Sequence, residues 1–344
     1  MPETNAMLQL DNLFIGYGSG TLKKKQKVFG PMNMEIRQPE LVGIIGRNGI
    51  GKSTLLRTIC GLQPALGGFV NIQGSEVRHI QKSAMAKLIS YVSTDQVRVA
   101  NLRVMELVSM GRFPYTNWFG KLSNEDRCVI GEAIEHTGIK NLLFKLVHQL
   151  SDGERQKVMI ARALVQDTPV IILDEPTAFL DLQARHEILR LLNNLSRNNK
   201  KLILFSTHDL SIAMDEVDKL WLMTDEGMYE GAPEDLLINQ VFRKLFLNSA
   251  IEFDEKSMAF KFRRKYTGNI TIRADEPFFS MARNAMERIG IETVVNALSD
   301  YTLTLNRNNE TTGWYLTGKN INSNFQSLYD LVAFINTRIT QPIQ

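Results

Sequence analysis

The stretch Gly46-Arg47-Asn48-Gly49-Ile50-Gly51-Lys52-Ser53-Thr54 decides the fold prediction. It fits the spacing G-x-x-x-x-G-K-[ST] and stands between an apolar run at Leu41–Ile45 and a helical pattern at Lys52–Gly61. In that context, the glycines let backbone N–H groups wrap phosphate oxygens, and the start of the helix adds positive potential. Lys52 is predicted to neutralise phosphate oxygens, and the Ser53 hydroxyl to ligate Mg²⁺. The candidate nucleotide ligands are Gly46, Arg47, Asn48, Gly49, Gly51, Lys52, Ser53 and Thr54.

A second motif supplies the acidic side chains that such a site needs. The apolar run Val170–Leu173 is typical of a buried strand, and Asp174 and Glu175 follow it directly. Asp174 is expected to hold Mg²⁺ through water, and Glu175 to orient or deprotonate the attacking water. An apolar run that ends in two acids is common by itself. Together with the phosphate loop, it predicts a nucleoside triphosphatase.

The segment Leu150-Ser151-Asp152-Gly153-Glu154-Arg155-Gln156 separates the classes of nucleoside triphosphatase. It opens a predicted helix at Glu154–Gln166, so Ser151 and the Gly153 amide are placed at a helix start, where anions bind. The same residues fit a plain capping box, because Glu154 follows Ser151 by three positions. Both interpretations can hold together.

This segment resembles the LSGGQ signature of ABC transporter ATPases. The resemblance covers about residues 8–245 and includes the D-loop Ala178–Asp181 and a switch histidine, His208. It implies that two ATPase domains close head to tail around two ATP molecules. Ser151 and Gly153 of one subunit would contact the γ-phosphate in the other, with Asp181 among the residues near the nucleotide. His208 would sense that phosphate and pair with Glu175.

The resemblance also suggests an adenine contact, and it has three departures. Tyr17 stands where the family places an aromatic residue that stacks on adenine; the alternative is a tyrosine in a turn. Asp152 replaces the first glycine of the signature pair, and Glu154 replaces its glutamine. At the expected Q-loop glutamine this chain has Thr94, with Gln96 two residues later. Gln96 reaching the Mg²⁺ site through a shifted loop is favoured over Thr94 or water filling that role.

Length and composition limit the remaining possibilities. The chain has 344 residues, enough for two domains, and a net charge of +3, which gives no electrostatic reason to expect nucleic acid as a partner. Cys60 and Cys128 form no CxxC pair, which fits a reducing compartment. Strands at Leu41–Ile45, Val170–Leu173 and Leu202–Phe205 alternate with helices at Lys52–Gly61, Asp126–Thr137, Glu154–Gln166 and Leu182–Asn198, which predicts an α/β core.

The predicted organisation is a P-loop ATPase core of the ABC type at 8–245 followed by a smaller domain at 249–344. Short strands at Asp11–Gly16 and Val28–Ile36 should form an antiparallel edge sheet, and a helical subdomain should be inserted at about 75–165. The second domain alternates strands and helices in an α+β pattern, with strands from Met258 and a last helix at Phe325–Arg338. It is interpreted either as a regulatory module or as a dimerisation domain.

One further stretch bears on what the ATPase drives. Met105–Tyr115, which ends in Gly-Arg-Phe-Pro-Tyr, resembles a stretch of the ATPases that serve bacterial iron-siderophore, haem and vitamin B12 importers. An amphipathic helix followed by a turn explains its apolar spacing but not that ending. No apolar run is long enough to span a bilayer. The expectation is a homodimer bound to two permease subunits, and indirectly to a substrate-binding protein, at the cytoplasmic face of the inner membrane. An exporter ATPase, a soluble ABC-type factor and a small-molecule kinase are the alternatives.

Overall fold

The computed structural model describes residues 6–18, 26–94, 101–116, 120–247, 251–254, 259–262, 264–294, 299–308, 311–319 and 321–338. The chain divides into two compact units, Met1–Phe260 and Lys261–Gln344. The sequence pattern placed the start of the second domain at 249, whereas this division follows Phe260. No helix among the described residues is long and apolar enough to cross a membrane.

The first unit contains an antiparallel sheet and a larger, mainly parallel sheet, with strands numbered along the chain. The antiparallel sheet has the order β2-β1-β4-β5 and consists of β1 (Leu8–Tyr17), β2 (Gln26–Ile36), β4 (Gly67–Ile72) and β5 (Ser75–Glu76). The larger sheet has the order β10-β9-β3-β8-β7-β6 and consists of β3 (Leu41–Gly46), β6 (Ile89–Val92), β7 (Val170–Leu173), β8 (Leu202–Thr207), β9 (Lys219–Thr224) and β10 (Gly227–Gly231).

Eight helices belong to the described part of this unit. They are α1 (Lys52–Ile59), α2 (Lys82–Leu88), α3 (Val104–Ser109), α4 (Asn124–Thr137), α5 (Asp152–Val165), α6 (Leu182–Asn199), α7 (Leu210–Glu216) and α8 (Pro233–Ile238). The predicted α/β class with an antiparallel sheet is confirmed, and α1, α4, α5 and α6 match the predicted helices within two residues at each end.

The parallel strands are apolar along their whole length because both faces of the sheet are buried. In β7, Val170 and Ile172 join the core formed with the antiparallel sheet and α1. Ile171 and Leu173 join the second core, on the side of α4, α5 and α6. Successive residues of a strand point to opposite faces of the sheet, so a continuous apolar run contributes side chains to both cores. The carboxyl ends of β3, β7 and β8 therefore meet at one edge of a rigid sheet.

One sequence expectation about this unit needs correction. The sequence predicts that the interval of about 75–165 is a mostly helical insertion that interrupts the core. It contains β6, which pairs in parallel with β7 as an edge strand of the main sheet. With only four residues, Ile-Ser-Tyr-Val, this strand is too short to stand out from the adjoining helical pattern of α2.

The second unit is a five-stranded sheet covered by two helices. The sheet has the order β14-β13-β15-β16-β17, with β13 (Gly268–Arg273), β14 (Ile291–Val294), β15 (Thr302–Asn308), β16 (Thr311–Gly318) and β17 (Ile321–Phe325). Helices α9 (Phe278–Arg288) and α10 (Leu328–Arg338) bury Met286 and Leu331 against Trp314 and Leu316 in a core of their own. This is an α+β arrangement.

Two predicted elements of the second domain differ from the structure. Phe325, predicted to begin the last helix, is instead the last residue of β17. The helix begins at Leu328, and the preceding Ser327 caps it by accepting a hydrogen bond from the Asp330 backbone N–H (3.1 Å). The predicted strand from Met258 is represented by β12 (Ala259–Phe262). It pairs with β11 (Ile251–Asp254) in a two-stranded sheet rather than with the five-stranded one.

Candidate active site

The phosphate loop lies between β3 and α1, as the sequence predicts. Gly49 and Gly51 have φ values of 82° and 117°, a region that favours glycine. A Cβ on Gly51 would lie 2.8 Å from a methyl carbon of Val28, whereas one on Gly49 would meet nothing within 4 Å. The loop is therefore packed against the antiparallel sheet on one side and open to a cleft on the other.

Lys52 closes over the loop that precedes it. Its Nζ atom donates hydrogen bonds to the backbone oxygens of Gly46 (2.9 Å) and Arg47 (3.4 Å). Burial lowers the pKa of the Lys52 amine, while the nearby carboxylates of Glu175 and Asp174 act in the opposite direction. A desolvated ammonium beside carbonyl oxygens can exchange these weaker partners for a phosphate.

The end of β7 brings the first acid to the loop. Asp174 is buried, and its Oδ1 atom accepts a hydrogen bond from the Ser53 hydroxyl at 2.9 Å. Its Oδ2 atom accepts one from the Tyr91 hydroxyl at 3.3 Å. Burial, and secondly the charge of Asp174, raise the pKa of Tyr91 to about 12, so the phenol stays a donor. The predicted pair Ser53 and Asp174, 121 residues apart, are thus in contact.

Glu175 and His208 meet at the mouth of the same cleft. Glu175 has φ 48°, a left-handed conformation that is strained for this residue type. Its Oε2 atom lies 3.7 Å from Nδ1 of His208, which is half-exposed. This is the pairing that the family resemblance implies, and it places a carboxylate and an imidazole side by side at the cleft.

A cleft of about 670 Å³ joins most of the predicted residues. The predicted residues that line it are Tyr17, Asn48, Gly49, Gly51, Lys52, Ser53, Thr54, Glu175 and His208. The Tyr17 hydroxyl is 3.2 Å from the Thr54 hydroxyl, and the residue is 55% exposed. Its ring is therefore available to a stacking partner. Arg47 does not line the cleft, because its guanidinium pairs with Asp225 at 3.1 Å.

The signature segment begins α5 outside this cleft. Ser151 is the N-cap: its hydroxyl accepts from the Glu154 backbone N–H (3.2 Å), and the Glu154 carboxylate accepts from the Ser151 N–H (3.0 Å). The predicted capping box is therefore present. Gly153 is tightly placed, since a Cβ there would lie 3.3 Å from that of Ala184. Within one chain, Ser151 and Gly153 do not line the cleft that holds Lys52.

Three residues singled out in the sequence, Asp152, Asp181 and Thr94, do not line this cleft. Asp152 forms an exposed ion pair with Arg155 (3.2 Å), so its charge is partly balanced on its own helix. Asp181 caps α6 by accepting from the Ala184 backbone N–H at 2.8 Å. Gln96 lies outside the described residues, and Thr94 lines a small cavity that also touches Glu175.

The Gly-Arg ending of Met105–Tyr115 has a structural explanation. Arg112 is buried and donates to Asp126 at 2.7 Å and to the Val165 backbone oxygen at 3.2 Å. A Cβ on Gly111 would lie 2.4 Å from the backbone oxygen of Arg162. Both residues therefore fix this segment against α4 and α5, while the Phe113 side chain projects into solvent, 62% exposed.

Comparison with known proteins agrees with this geometry. Residues 29–178 match the ABC transporter family, and residues 267–336 match the iron ABC transporter C-terminal domain. The chain is similar to an uncharacterised ABC transporter ATP-binding protein of Methanocaldococcus jannaschii, 36% identical over 70% of this chain and 81% of the relative. It is also similar to the iron(3+)-hydroxamate import ATP-binding protein FhuC of Bacillus subtilis, 37% identical over 60% of this chain and 74% of the relative.

Among solved structures, the first unit resembles an ATP-binding cassette, MJ0796, in a dimeric post-hydrolysis state bound to ADP and phosphate. The TM-score is 0.58 at 26% identity, over 66% of this chain and 99% of the cassette. The chain belongs to the ABC transporter ATPase family. It is an ATP-binding subunit that hydrolyses ATP.

Proposed function

We propose that the chain is the ATPase subunit of a bacterial ABC importer for iron-siderophore complexes. The match at residues 267–336 to an iron transporter domain and the likeness to a hydroxamate import protein support this cargo class. Haem and cobalamin are the nearest alternative cargoes. The alternative for the direction of transport is an exporter ATPase.

One observation carries the catalytic part of the proposal. One cleft brings together residues from three parts of the chain. They are Lys52 and Ser53 of the phosphate loop, Asp174 and Glu175 at the end of β7, and His208 at the end of β8. Lys52 would leave its carbonyl partners to bind β- and γ-phosphate oxygens. Glu175 would orient and deprotonate the attacking water, and His208 would hold the γ-phosphate while fixing the Glu175 carboxylate.

The same edge of the sheet fits a Mg²⁺ ion that accompanies ATP. Ser53 and Asp174 present two oxygen ligands 2.9 Å apart. In the described part of the chain, no cluster of three or more His, Cys, Asp or Glu side chains could hold a metal by itself. Mg²⁺ is often bound by one or two protein oxygens, with phosphates and waters as the other ligands. When bound, it would neutralise charge on the β- and γ-phosphates.

The placement of the signature segment supports a working unit of two identical chains. Ser151 and the Gly153 amide form a helix N-terminus suited to an anion, yet they lie outside the cleft of their own chain. In a head-to-tail pair they would contact the γ-phosphate held by the partner. ATP would favour the closed pair because it binds both faces, and hydrolysis would release them.

Two permease subunits at the cytoplasmic face of the inner membrane would complete the transporter, with a substrate-binding protein delivering cargo to them. The segment Met105–Tyr115 presents exposed Met105, Phe113 and Tyr115 on a base fixed by buried Arg112. We assign this surface to permease contact. The second unit, with its own core, is proposed as either a regulatory or a dimerisation module.

Reconstitution tests the proposal. The chain is combined in liposomes with permeases encoded by its host and their binding proteins, and ATP turnover is measured with ferric siderophores, haem or cobalamin. We expect one ferric siderophore to stimulate ATP turnover when its permease and binding protein are present. The siderophore should accumulate on the side of the vesicle membrane on which the ATPase lies. Stimulation by haem or cobalamin alone would contradict the cargo class, and ATP-driven movement in the opposite direction would contradict import. Lys52→Ala serves as the inactive control.

A further inference from the structure

Ser206 lies between the strand that leads into the phosphate loop and the strand that carries the two acids. Its strand, β8, pairs in parallel with β3, where Ser206 is opposite Ile44, and with β7, where Phe205 is opposite Leu173. Ser206 is completely buried and follows the apolar run Leu202–Phe205. A buried hydroxyl in such a place is expected to have specific hydrogen-bond partners.

The partners of Ser206 are the two acids of the site. Its Oγ atom lies 2.9 Å from the backbone nitrogen of Glu175 and 2.8 Å from Oδ1 of Asp174. Because a backbone N–H can only donate, the Ser206 oxygen accepts that bond, and its single hydrogen is directed to the Asp174 carboxylate. Ser206 thereby connects consecutive residues that have different proposed tasks.

These two bonds fix both residues. The bond to its N–H helps to hold Glu175 at φ 48°, the strained conformation in which its carboxylate lies beside His208. On Asp174, Ser206 and Ser53 occupy one carboxylate oxygen and Tyr91 the other, which restrains rotation of the group. A hydrogen bond to an ionised carboxylate is among the stronger hydrogen bonds in proteins.

We propose that Ser206 is a positioning residue for ATP hydrolysis, which sets Asp174 and the backbone of Glu175 toward the same phosphate. This inference rests on the proposed roles of those two acids. It predicts an effect on turnover rather than on ATP binding, because Lys52 and the loop amides that hold the phosphates are not among the partners of Ser206.

The test is Ser206→Ala, which removes both bonds with little change in volume. We expect kcat to fall by about tenfold or more, while KM for ATP stays within about twofold. Ser206→Cys, with a weaker donor of similar size, should give an intermediate kcat. The matched control is Ser90→Ala: Ser90 is also buried in the main sheet, but it bonds to Thr168 (3.1 Å). It should lower the thermal midpoint similarly and leave kcat unchanged.

A second measurement separates positioning from loss of structure. Binding of a non-hydrolysable ATP analogue to Ser206→Ala should stay within about twofold of the unsubstituted chain. Equal kcat in Ser206→Ala and Ser90→Ala would overturn the proposal, as would loss of analogue binding in step with turnover. Glu175→Gln, measured alongside, keeps the two proposals distinguishable. If it is inactive while Ser206→Ala is normal, only the role of Ser206 fails; if Glu175→Gln itself is active, the proposed function of the acid fails.

Discussion

At the scale of single residues, Glu175 is the side chain on which turnover should depend most. Its carboxylate faces the cleft and His208, and replacing it with an amide keeps its size but removes the proposed base. Glu175→Gln should retain ATP binding and lower kcat by about 10²-fold or more. Turnover is measured by phosphate release and binding by a fluorescent ATP analogue.

The control for this substitution is Glu187→Gln. Glu187 lies on α6, and its exposed carboxylate pairs with Lys157 of α5. The kcat of this control should equal that of the unsubstituted chain. Near-normal turnover in Glu175→Gln would remove Glu175 from the proposed role.

The buried pair of Arg112 and Asp126 makes a second residue-scale prediction. The pKa of Asp126 is lowered by hydrogen bonds from Ser123, and further by Arg112. Asp126→Asn leaves a buried cation uncompensated, so we expect a loss of about 3 kcal/mol in the free energy of unfolding at pH 7. The measurement is urea unfolding as a function of pH.

The sign of the pH dependence follows from that lowered pKa. At pH values between the lowered pKa of Asp126 in the folded chain and its ordinary pKa of 3.8, the unfolded chain binds more protons than the folded chain. The contribution of Asp126 to the free energy of unfolding is therefore complete above about pH 4 and is lost as the pH falls. The difference between the unsubstituted chain and Asp126→Asn should therefore narrow below pH 4. Glu135→Gln, which breaks an exposed pair with Lys140, should cost less than about 1 kcal/mol. A difference that grows in acid would contradict this account.

The residues of the site differ in how far they could be predicted. The phosphate loop and Asp174-Glu175 were predictable because each is a contiguous pattern at a strand end. Tyr91 and Ser206 were missed, since their contacts with Asp174 depend on the order and register of β6, β7 and β8. A weak signal existed for Ser206, a polar residue that directly follows the apolar run Leu202–Phe205 and precedes His208 by two positions.

At the scale of secondary-structure elements, the start of α5 has two tasks that can be separated. Ser151 caps the helix and is proposed to bind the partner's γ-phosphate. Ser151→Ala should cost about 1 kcal/mol of stability and also abolish most ATPase activity. Ser123 is a matched control, because it caps α4 through the same kind of capping box.

Ser123→Ala should lose similar stability while keeping ATPase activity, as measured by thermal unfolding and phosphate release. If both variants retained activity, Ser151 would be a cap alone. If both lost activity equally, the loss would follow from helix stability rather than from phosphate contact.

The elements also show why the Gly-Arg ending could not be interpreted from sequence. Gly111 is required by the close approach of the Arg162 carbonyl, and Arg112 by the buried Asp126, so both serve packing. These partners come from α4 and α5, and no local pattern pairs them with this segment. The exposed Phe113 belongs to the surface that we propose contacts the permease.

At the level of the whole molecule, we propose that ATP holds two copies of this chain together. The α/β class followed from strands and helices that alternate in the sequence, and the second unit from a change of that pattern. The pairing of chains cannot be read from one chain's pattern. It is supported by Ser151 and Gly153, which begin a helix, lie outside their own cleft and are proposed to bind the partner's γ-phosphate.

The most direct test is the molar mass of Glu175→Gln by light scattering with ATP and Mg²⁺. We expect a particle of twice the 39.1 kDa of one chain, and a smaller fraction of this dimer without nucleotide or when Ser151→Ala is added. The proposal would be contradicted if this variant kept the mass of one chain under every nucleotide condition, and if complexes with supplied permease subunits also held a single copy of the chain.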